Sequence, residues 1–267
     1  MSSDQLRFGR LETFVWRADE GIVTVTLNRP ERLNALARQM QLELAGFWAA
    51  LKDEPGLRSV ILTGAGRAFC VGADTADMAA ASRPDAQTGL NALNFCPARS
   101  VDVPVILALN GMCVGGALNF LADADITIAS AEAWLSDYHV TMGQVSGPPT
   151  VQLASKVSFT AVAPLALCGS QYRMSAERAL AANLVSEVVP AAELMPRATA
   201  VARMIAAQSP TAVRETLRIL RRRAREPIEA ELRDAWAAVV RQWSHPDAIE
   251  GPRAFAEKRP ALWQDLG

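Results

Sequence analysis

The sequence predicts an α/β core followed by a helical C-terminal part, and three observations lead to this prediction. Short apolar runs typical of buried parallel strands alternate with helical patterns through the first part of the chain. Two of these runs end in glycine-containing turns that lead directly into a helical pattern. From Ser175 onward the apolar spacing is mostly helical. We therefore divide the chain into an α/β core, residues 1–190, and a helical region, residues 191–267.

The first elements are two β-branched runs, residues 13–17 and 22–27, and the turn sequence ADEG between them predicts an antiparallel hairpin. A helical pattern then covers residues 35–51, and DEPG ends it ahead of the buried strand RSVILTG. Together these predict a strand–helix–strand unit. Two further apolar strands, PVILALNG and DITIAS, flank the helical segment GGALNFLADA.

Capping signals mark the helices of the C-terminal part. SAERALAANL opens at Ser175, a good N-cap residue, and SPTAVRETLRILRR places Ser209 before a proline in the first helical position. An amphipathic pattern follows over residues 228–243. The basic run at residues 218–225 lies inside such a helix, and we interpret it as a solvated or ligand-facing side. The net charge of -1 gives no electrostatic reason to expect nucleic acid.

Composition argues against several classes of protein. The 267 residues are enough to bury a full core. The 4 cysteines show no CxxC or Cys/His pairing, which argues against a zinc site or a secreted disulfide framework and favours a reduced, cytoplasmic setting. No apolar run reaches the ~18 residues that a membrane span requires, and the N-terminus has no apolar leader. Without a ligand cluster or a dinucleotide fingerprint, we expect no metal, flavin or nicotinamide.

Two glycine-containing turns are the candidate functional segments, GRAFCVGADT (residues 66–75) and NGMCVGGALNF (residues 110–120). Each ends a strand and begins a helix, which leaves backbone N–H groups unpaired and available to an anionic oxygen. For either turn alone, tight strand-to-helix packing is the better explanation of the glycines. Two such turns together could form an oxyanion hole with two donors.

These turns occur in order with LNRPERLNAL, DITIAS, SAERALAANLVSEVV and AFAEKRPALW, and along nearly its whole length the sequence resembles the crotonase (enoyl-CoA hydratase/isomerase) superfamily. The resemblance implies a ClpP-like spiral core of ββα turns and a helical C-terminal region that forms trimers, often paired into hexamers. It also implies an acyl-CoA substrate, with coenzyme A as part of the thioester and no permanently bound cofactor.

The resemblance also assigns residues to the site. The oxyanion donors would be the N–H groups of Ala73, in VGAD, and Gly116, in VGGAL. Contacts to the nucleotide end of coenzyme A would come from Arg32, Ala68, Cys70 and Val71, and from Lys258 near the phosphates. For Arg32 and Lys258 the residues alone would predict only solvated surface charges.

The hydratases of this superfamily use two glutamates, and here Asn119 and His139 stand at those positions. Asparagine cannot accept a proton at neutral pH, whereas a histidine, with a pKa near ~6.5, can act as a general base. Members that cleave carbon–carbon bonds of diketones are similar in having a histidine at this point. Their downstream aspartate is replaced here by Pro148 or Pro149. Asp137 would face the same side as His139 on an extended segment and could orient its ring.

We therefore expect a reaction other than simple hydration, namely isomerisation, hydrolysis, decarboxylation or carbon–carbon cleavage. Two alternatives stay open. One is an ordinary enoyl-CoA hydratase with atypical residues. The other is a catalytically silent acyl-CoA-binding module, in which His139 and Asn119 only satisfy local hydrogen bonds.

The remaining expectations concern the acyl pocket and the second histidine. Asp77 and Met78, with residues 87–101, are expected to form the pocket, and Leu90, Leu93 and Phe95 suggest that it is apolar, although ordinary helix core would give the same pattern. His245 is interpreted as an exposed residue at a helix start that Ser244 caps.

Overall fold

The computed structural model describes residues 11–74 and 92–264. Its strands are β1 (Phe14–Asp19), β2 (Ile22–Leu27), β3 (Ser59–Gly64), β4 (Ala68–Cys70), β5 (Val105–Leu109), β6 (Met112–Val114), β7 (Ile126–Ser130), β8 (Trp134–Ser136), β9 (Met174–Ser175) and β10 (Glu187–Val189). Its α-helices are α1 (Arg38–Leu51), α2 (Leu118–Asp123), α3 (Pro148–Lys156), α4 (Phe159–Leu167), α5 (Ala176–Ala181), α6 (Leu194–Ala206), α7 (Pro210–Arg225), α8 (Glu229–Gln242) and α9 (Asp247–Glu257).

The strands form two sheets. The larger sheet has the order β1-β2-β3-β5-β7-β10; its first two strands form the predicted antiparallel hairpin, and all its other neighbours are parallel. The smaller sheet has the order β4-β6-β8-β9, with the first three strands parallel. The α/β architecture with a helical C-terminal region, predicted from the sequence, is confirmed.

Alternate side chains of a strand point to opposite faces of a sheet, and both faces of the large sheet are covered by apolar clusters. In β3, Val60 and Leu62 join the main core, which also contains the apolar side of α1, while Ile61 between them belongs to a second core cluster with Leu194 and Ala198 of α6. This explains why the strands read as continuous apolar runs rather than alternating ones. The sheet is thereby a rigid support for the loops that leave it.

Helix α1 begins later than the sequence predicted. The helical pattern suggested residues 35–51, but the helix starts at Arg38, and Ala37 is extended. The reason is tertiary: Leu36 forms a parallel β-bridge with Ala73, which holds this stretch out of the helix. A segment with helical spacing is thus used to support one of the glycine turns.

The basic run of α7 is divided between two faces. Arg221 lies 2.6 Å from the Asp125 carboxylate and Arg225 lies 3.2 Å from Asp123, which is buried. Arg218, by contrast, is exposed and pairs with Glu215 one turn away. The interpretation of this run as a solvated or ligand-facing side is therefore wrong for Arg221 and Arg225, which attach α7 to the core. Their burial follows from their carboxylate partners.

Two of the predicted helix caps are confirmed. The hydroxyl of Ser175 accepts a hydrogen bond from the Arg178 N–H at the start of α5, and that of Ser209 accepts one from the Ala212 N–H at the start of α7. Across the described parts of the chain, none of the helices has the length and apolar character needed to span a bilayer.

Candidate active site

Three loops meet at one edge of the small sheet. Strands β4, β6 and β8 are parallel neighbours, with Cys70 opposite Cys113 and Val114 opposite Ser136. Because the carboxyl ends of neighbouring parallel strands lie at the same edge of the sheet, the segments that follow these strands begin next to one another. These segments, residues 71–74, 115–117 and 137–143, contain Ala73, Gly116 and His139 respectively, so the sheet brings the predicted donors and the predicted base to one place.

The Ala73 loop is held against the segment before α1. The Leu36 N–H donates to Gly72 O at 2.8 Å, and the Asp74 N–H donates to Leu36 O at 3.2 Å. In this parallel bridge Leu36 bonds to the residues on either side of Ala73, so the N–H of Ala73 itself points away from Leu36. It is directed outward from the bridge and is available to another acceptor.

An ion pair reinforces the same contact. Arg29 donates one hydrogen bond to Ala35 O at 2.7 Å and another to the Asp74 carboxylate at 3.0 Å. Both partners are largely buried, with side-chain exposures of 21% for Arg29 and 12% for Asp74. Sequence reasoning missed this pair, although each member lies inside a motif that it had identified.

The second predicted donor lies beside the first. Gly116 is the middle residue of a 3-10 turn, Gly115–Ala117, at the start of α2, where N–H groups have no preceding helical turn to accept them. A Cβ placed on Gly116 would be 3.7 Å from the nitrogen of Ala73, and one on Gly72 would be 3.0 Å from the nitrogen of Gly116 and 2.7 Å from Val114 O. The backbones approach so closely that only glycine fits at position 72, whose φ is +83°.

Asn119 supports this turn from the helix. Its side chain is buried, and the amide nitrogen donates to Gly116 O at 3.0 Å. The amide oxygen is buried and has no hydrogen-bond partner in the described part of the chain. One hydrogen of the amide nitrogen is bonded to the backbone, so the side chain braces the Gly116 turn, and its oxygen is an unused acceptor.

His139 forms a close pair with Asp137. The ring Nδ1 lies 2.5 Å from Asp137 Oδ1, and the backbone N–H of His139 donates to the same oxygen at 3.0 Å. The sequence argument placed both residues on an extended segment, but His139 is helical (φ −54°, ψ −53°) and a local turn around the aspartate brings them together. Since an ionised carboxylate can only accept, Nδ1 carries the hydrogen and Nε2 is left with a lone pair.

Burial and charge have opposite effects on the pKa values of Asp137 and His139. Asp137 is almost fully buried, which opposes its ionisation, but the His139 charge and the hydrogen bonds from His139 and Ser146 hold the pKa of the carboxyl below its usual value. Burial disfavours the imidazolium of His139, yet the Asp137 charge and hydrogen bond outweigh it and raise the pKa of the ring. The His139 side chain keeps 24% of its surface exposed, so the ring is reachable.

Two hydroxyls beyond Asp137 were also missed by sequence reasoning. Ser146 Oγ lies 2.5 Å from Asp137 Oδ2 and 2.6 Å from Thr150 Oγ1. Pro148 and Pro149, one of which was expected at the position of the downstream aspartate, begin α3 and place Thr150 in its first turn. The only sequence signal was a hydroxyl next to a Gly-Pro-Pro helix start, which specifies the helix but not its contacts.

The residues expected near coenzyme A differ in their exposure. Arg32 and Lys258 are exposed, and Lys258 ends α9 in the left-handed conformation. The Ala68 and Cys70 side chains are fully buried, so only their backbones, and the partly exposed Val71, can meet a ligand. Burial raises the pKa of Cys70 to about 12, so the thiol stays protonated at neutral pH and is a poor nucleophile.

The acyl pocket is described only in part. Asp77, Met78 and Leu90 lie outside the described residues. Leu93 and Phe95 are buried in the main core, and the Phe95 ring packs edge-on against Phe120, with centroids 5.1 Å apart. For these two residues the core interpretation is the better one.

The interpretation of His245 is wrong. Helix α9 starts at Asp247 after Pro246, and Ser244 does not cap it; its hydroxyl donates to Arg241 O instead. The His245 side chain is 25% exposed and accepts a hydrogen bond from the Asp247 N–H through Nδ1. Nothing in the described ranges groups three or more histidine, cysteine or acidic side chains as a metal site would.

The chain is similar to known proteins along nearly its whole length. Residues 17–266 match the family described as "Enoyl-CoA hydratase/isomerase". A carnitinyl-CoA dehydratase from Shigella flexneri is 32% identical over 250 residues, covering 91% of this chain and 95% of that protein. An enoyl-CoA hydratase from Mycobacterium tuberculosis is 31% identical, with coverages of 90% and 92%. The crystal structure of an enoyl-CoA hydratase/isomerase from Pseudoalteromonas atlantica superimposes with a TM-score of 0.85 at 25% identity, covering 95% of this chain and 100% of that one.

Proposed function

Because the chain belongs to the enoyl-CoA hydratase/isomerase family, we propose that it acts on an acyl-CoA thioester with a single proton-transferring side chain, His139. The Ala73 and Gly116 N–H groups would bind the thioester oxygen. Asp137 would orient the ring, and Asn119 would position the Gly116 turn. The observation that carries the proposal is the 2.5 Å contact between His139 Nδ1 and Asp137, which leaves Nε2 as the base at the sheet edge that also holds both donors.

The chemical step that suits this arrangement is removal of a proton next to the thioester carbonyl. His139 Nε2 takes the α-proton, the electron pair of the broken C–H bond forms an enolate, and the two N–H groups stabilise its oxygen. The imidazolium then returns the same proton to the α- or the γ-carbon. In a β,γ-unsaturated thioester the enolate is a dienolate, so return of the proton to the γ-carbon moves the double bond to the α,β position, and isomerisation needs no second acid or base.

A second candidate is dehydration or hydration, which the names of the relatives favour. One of them is a carnitinyl-CoA dehydratase and another an enoyl-CoA hydratase. With Asn119 unable to hold a proton, the imidazolium formed by α-proton removal would have to protonate the leaving hydroxyl itself. Loss of water from the same face would permit this. Hydrolysis or carbon–carbon cleavage would instead require Nε2 to activate a water.

Proton exchange tests the shared step without knowledge of the natural acyl group. Butyryl-CoA is incubated with the protein in deuterium oxide, and the α-proton signals are followed by NMR. We expect wild type to exchange them and His139→Gln to lose about 10³-fold in rate, the scale of general-base catalysis. His245→Gln, which changes the other histidine, should exchange normally. If wild type binds the thioester but never exchanges, α-proton removal is rejected, which leaves water activation by His139 or a silent binding module.

The coenzyme end of the site is proposed to include Arg32 and Lys258. Arg259, next to Lys258, is held by Glu250 and Glu257, whereas Lys258 makes no ion pair with the described residues. Lys258→Ala should weaken calorimetric binding of coenzyme A severalfold while leaving binding of the dephosphorylated pantetheine portion unchanged. Equal binding of coenzyme A by wild type and variant would remove Lys258 from the site.

We also propose that residues 191–267 assemble the chain into trimers, alone or as pairs of trimers. In this region the large apolar side chains of Met204, Ile219, Leu220 and Ile249 are each more than half exposed. Light scattering should give three or six chains for wild type and one for Leu220→Asp. Leu42→Asp, at a similarly exposed leucine of α1, is the matched control. A wild-type monomer would contradict this assembly.

A further inference from the structure

The Asp137 carboxylate is held at both of its oxygens. Oδ1 faces the ring Nδ1 of His139 at 2.5 Å, and Oδ2 accepts from Ser146 Oγ at 2.5 Å. Ser146 Oγ is also 2.6 Å from Thr150 Oγ1. A side-chain hydrogen-bond chain therefore runs from the first turn of α3 to the imidazole.

The direction of every hydrogen in this chain is fixed. An ionised carboxylate only accepts, so the single hydroxyl proton of Ser146 must point to Asp137. Ser146 is then free only to accept from Thr150, and Thr150 must donate to it. On the other side Asp137 must accept from His139 Nδ1, which fixes the neutral ring in one tautomer.

The segment that supplies the hydroxyls is rigid. Pro148 and Pro149 are buried at the start of α3, with φ values that their rings restrict. A Cβ on Gly147 would lie 2.6 Å from Val239 of α8, so this residue is packed tightly as well. Thr150 thus lies on the helix itself, and Ser146 directly precedes the tightly packed Gly147 at its start.

From this arrangement we infer that Ser146 and Thr150 are positioning residues, which lock the Asp137 carboxylate so that His139 keeps its hydrogen on Nδ1 and presents Nε2 to the substrate. This rests on the proposed role of His139 as the base. Neither hydroxyl touches the substrate in this account. They act only through Asp137.

The test combines turnover with a direct view of the ring. In ¹⁵N-labelled protein, NMR shifts of the ring nitrogens report which nitrogen carries the hydrogen, and His245→Asn removes the only other histidine signal. We expect wild-type His139 to be the Nδ1–H tautomer and Ser146→Ala to show a mixture. The α-proton exchange rate of Ser146→Ala should fall about tenfold with unchanged KM, as expected for a lost bond to a charged group.

Matched variants separate positioning from general damage. Ser146→Thr keeps the hydroxyl and should restore both readouts. Thr150→Val keeps the shape of the side chain and should change both readouts in the same direction as Ser146→Ala, but less. Ser155→Ala removes a hydroxyl of α3 that bonds only to Gln152 O and should change neither.

The outcomes distinguish this inference from the proposed function. An unchanged tautomer in folded Ser146→Ala and Thr150→Val overturns the inference, whatever their activity. A tautomer shift together with full exchange activity in His139→Gln supports the positioning role and rejects His139 as the base. A tautomer shift and a loss of exchange in the same variants supports both.

Discussion

Ala73 and Gly116 present backbone N–H groups held by main-chain contacts, whereas His139 presents a side chain held by other side chains. The first half of the site depends on a β-bridge to Leu36 and on the close approach of Gly72 to Gly116. The second half depends on hydrogen bonds through Asp137, Ser146 and Thr150. The backbone half can therefore keep its geometry while side chains change, and the side-chain half can change chemistry without altering the fold.

The largest effect is expected at the base itself. His139→Gln should lower turnover by about 10³-fold because it removes the proposed general base. Binding of free coenzyme A should be unchanged, since the backbone donors and the cations remain. Calorimetry beside the exchange assay checks both statements. If His139→Gln also weakened the binding of coenzyme A, the backbone half and the side-chain half of the site would not be independent.

The next effect probes the backbone half. Gly72→Ala places a Cβ 3.0 Å from the Gly116 nitrogen at a φ of +83°, so the two N–H groups must separate. Turnover should fall by about 10²-fold, the cost of losing one oxyanion donor. Gly46→Ala in α1, where a Cβ meets nothing within 4 Å, is the control and should keep full activity and equal or higher thermal stability. Normal turnover in folded Gly72→Ala would contradict the assignment of Ala73 and Gly116.

Asp137→Asn should act on rate and on pH dependence together. Asp137 raises the pKa of His139, so its loss lowers the ring pKa and moves the acid limb of the rate profile to lower pH. The plateau rate should fall about tenfold or more, because asparagine does not select the Nδ1–H tautomer. A pH profile with an unmoved acid limb would mean that another group sets it.

The same variant should change stability in one pH window. A raised folded-state pKa stabilises the protein below the unfolded value, near ~6.5, and the contribution is lost as pH rises through the folded value. The stability advantage of wild type over Asp137→Asn should therefore be greater at pH ~6 than well above the folded pKa of His139. Urea unfolding at both pH values measures it. An advantage that grows with pH would contradict the stated direction of the shift.

The smallest effect is expected for the ion pair behind Ala73. Asp74→Asn weakens the contact between Arg29 and the Ala73 loop but leaves the Leu36 bridge in place, so turnover should fall only about threefold. Glu187→Gln breaks an ion pair of similar length, 2.9 Å, at a more exposed position and should leave turnover unchanged. Equal effects of the two variants would show that the Asp74 pair has no special relation to the site.

The sequence predicted the backbone half of the candidate site better than the side-chain half. Gly72 and Gly116 act through short-range backbone geometry. The glycine-containing turns were recognisable in the sequence, and the family resemblance singled out Ala73 and Gly116, but Gly72 was not identified. Ser146, Thr150 and Arg29 act through contacts that depend on how α3 and the segment before α1 pack, which local patterns do not specify. Tertiary contacts also overrode local signals at Leu36, which leaves its helical pattern to form a bridge, and at Arg221, which turns inward to Asp125.

The central claim is that a thioester oxygen bound by two backbone donors lies within reach of one histidine base. A crystal structure with a bound, slowly reacting acyl-CoA tests it most directly. We expect the thioester oxygen about 3 Å from the nitrogens of both Ala73 and Gly116, and the α-carbon facing His139 Nε2. A thioester oxygen bound elsewhere, or an α-carbon directed away from His139, would contradict it.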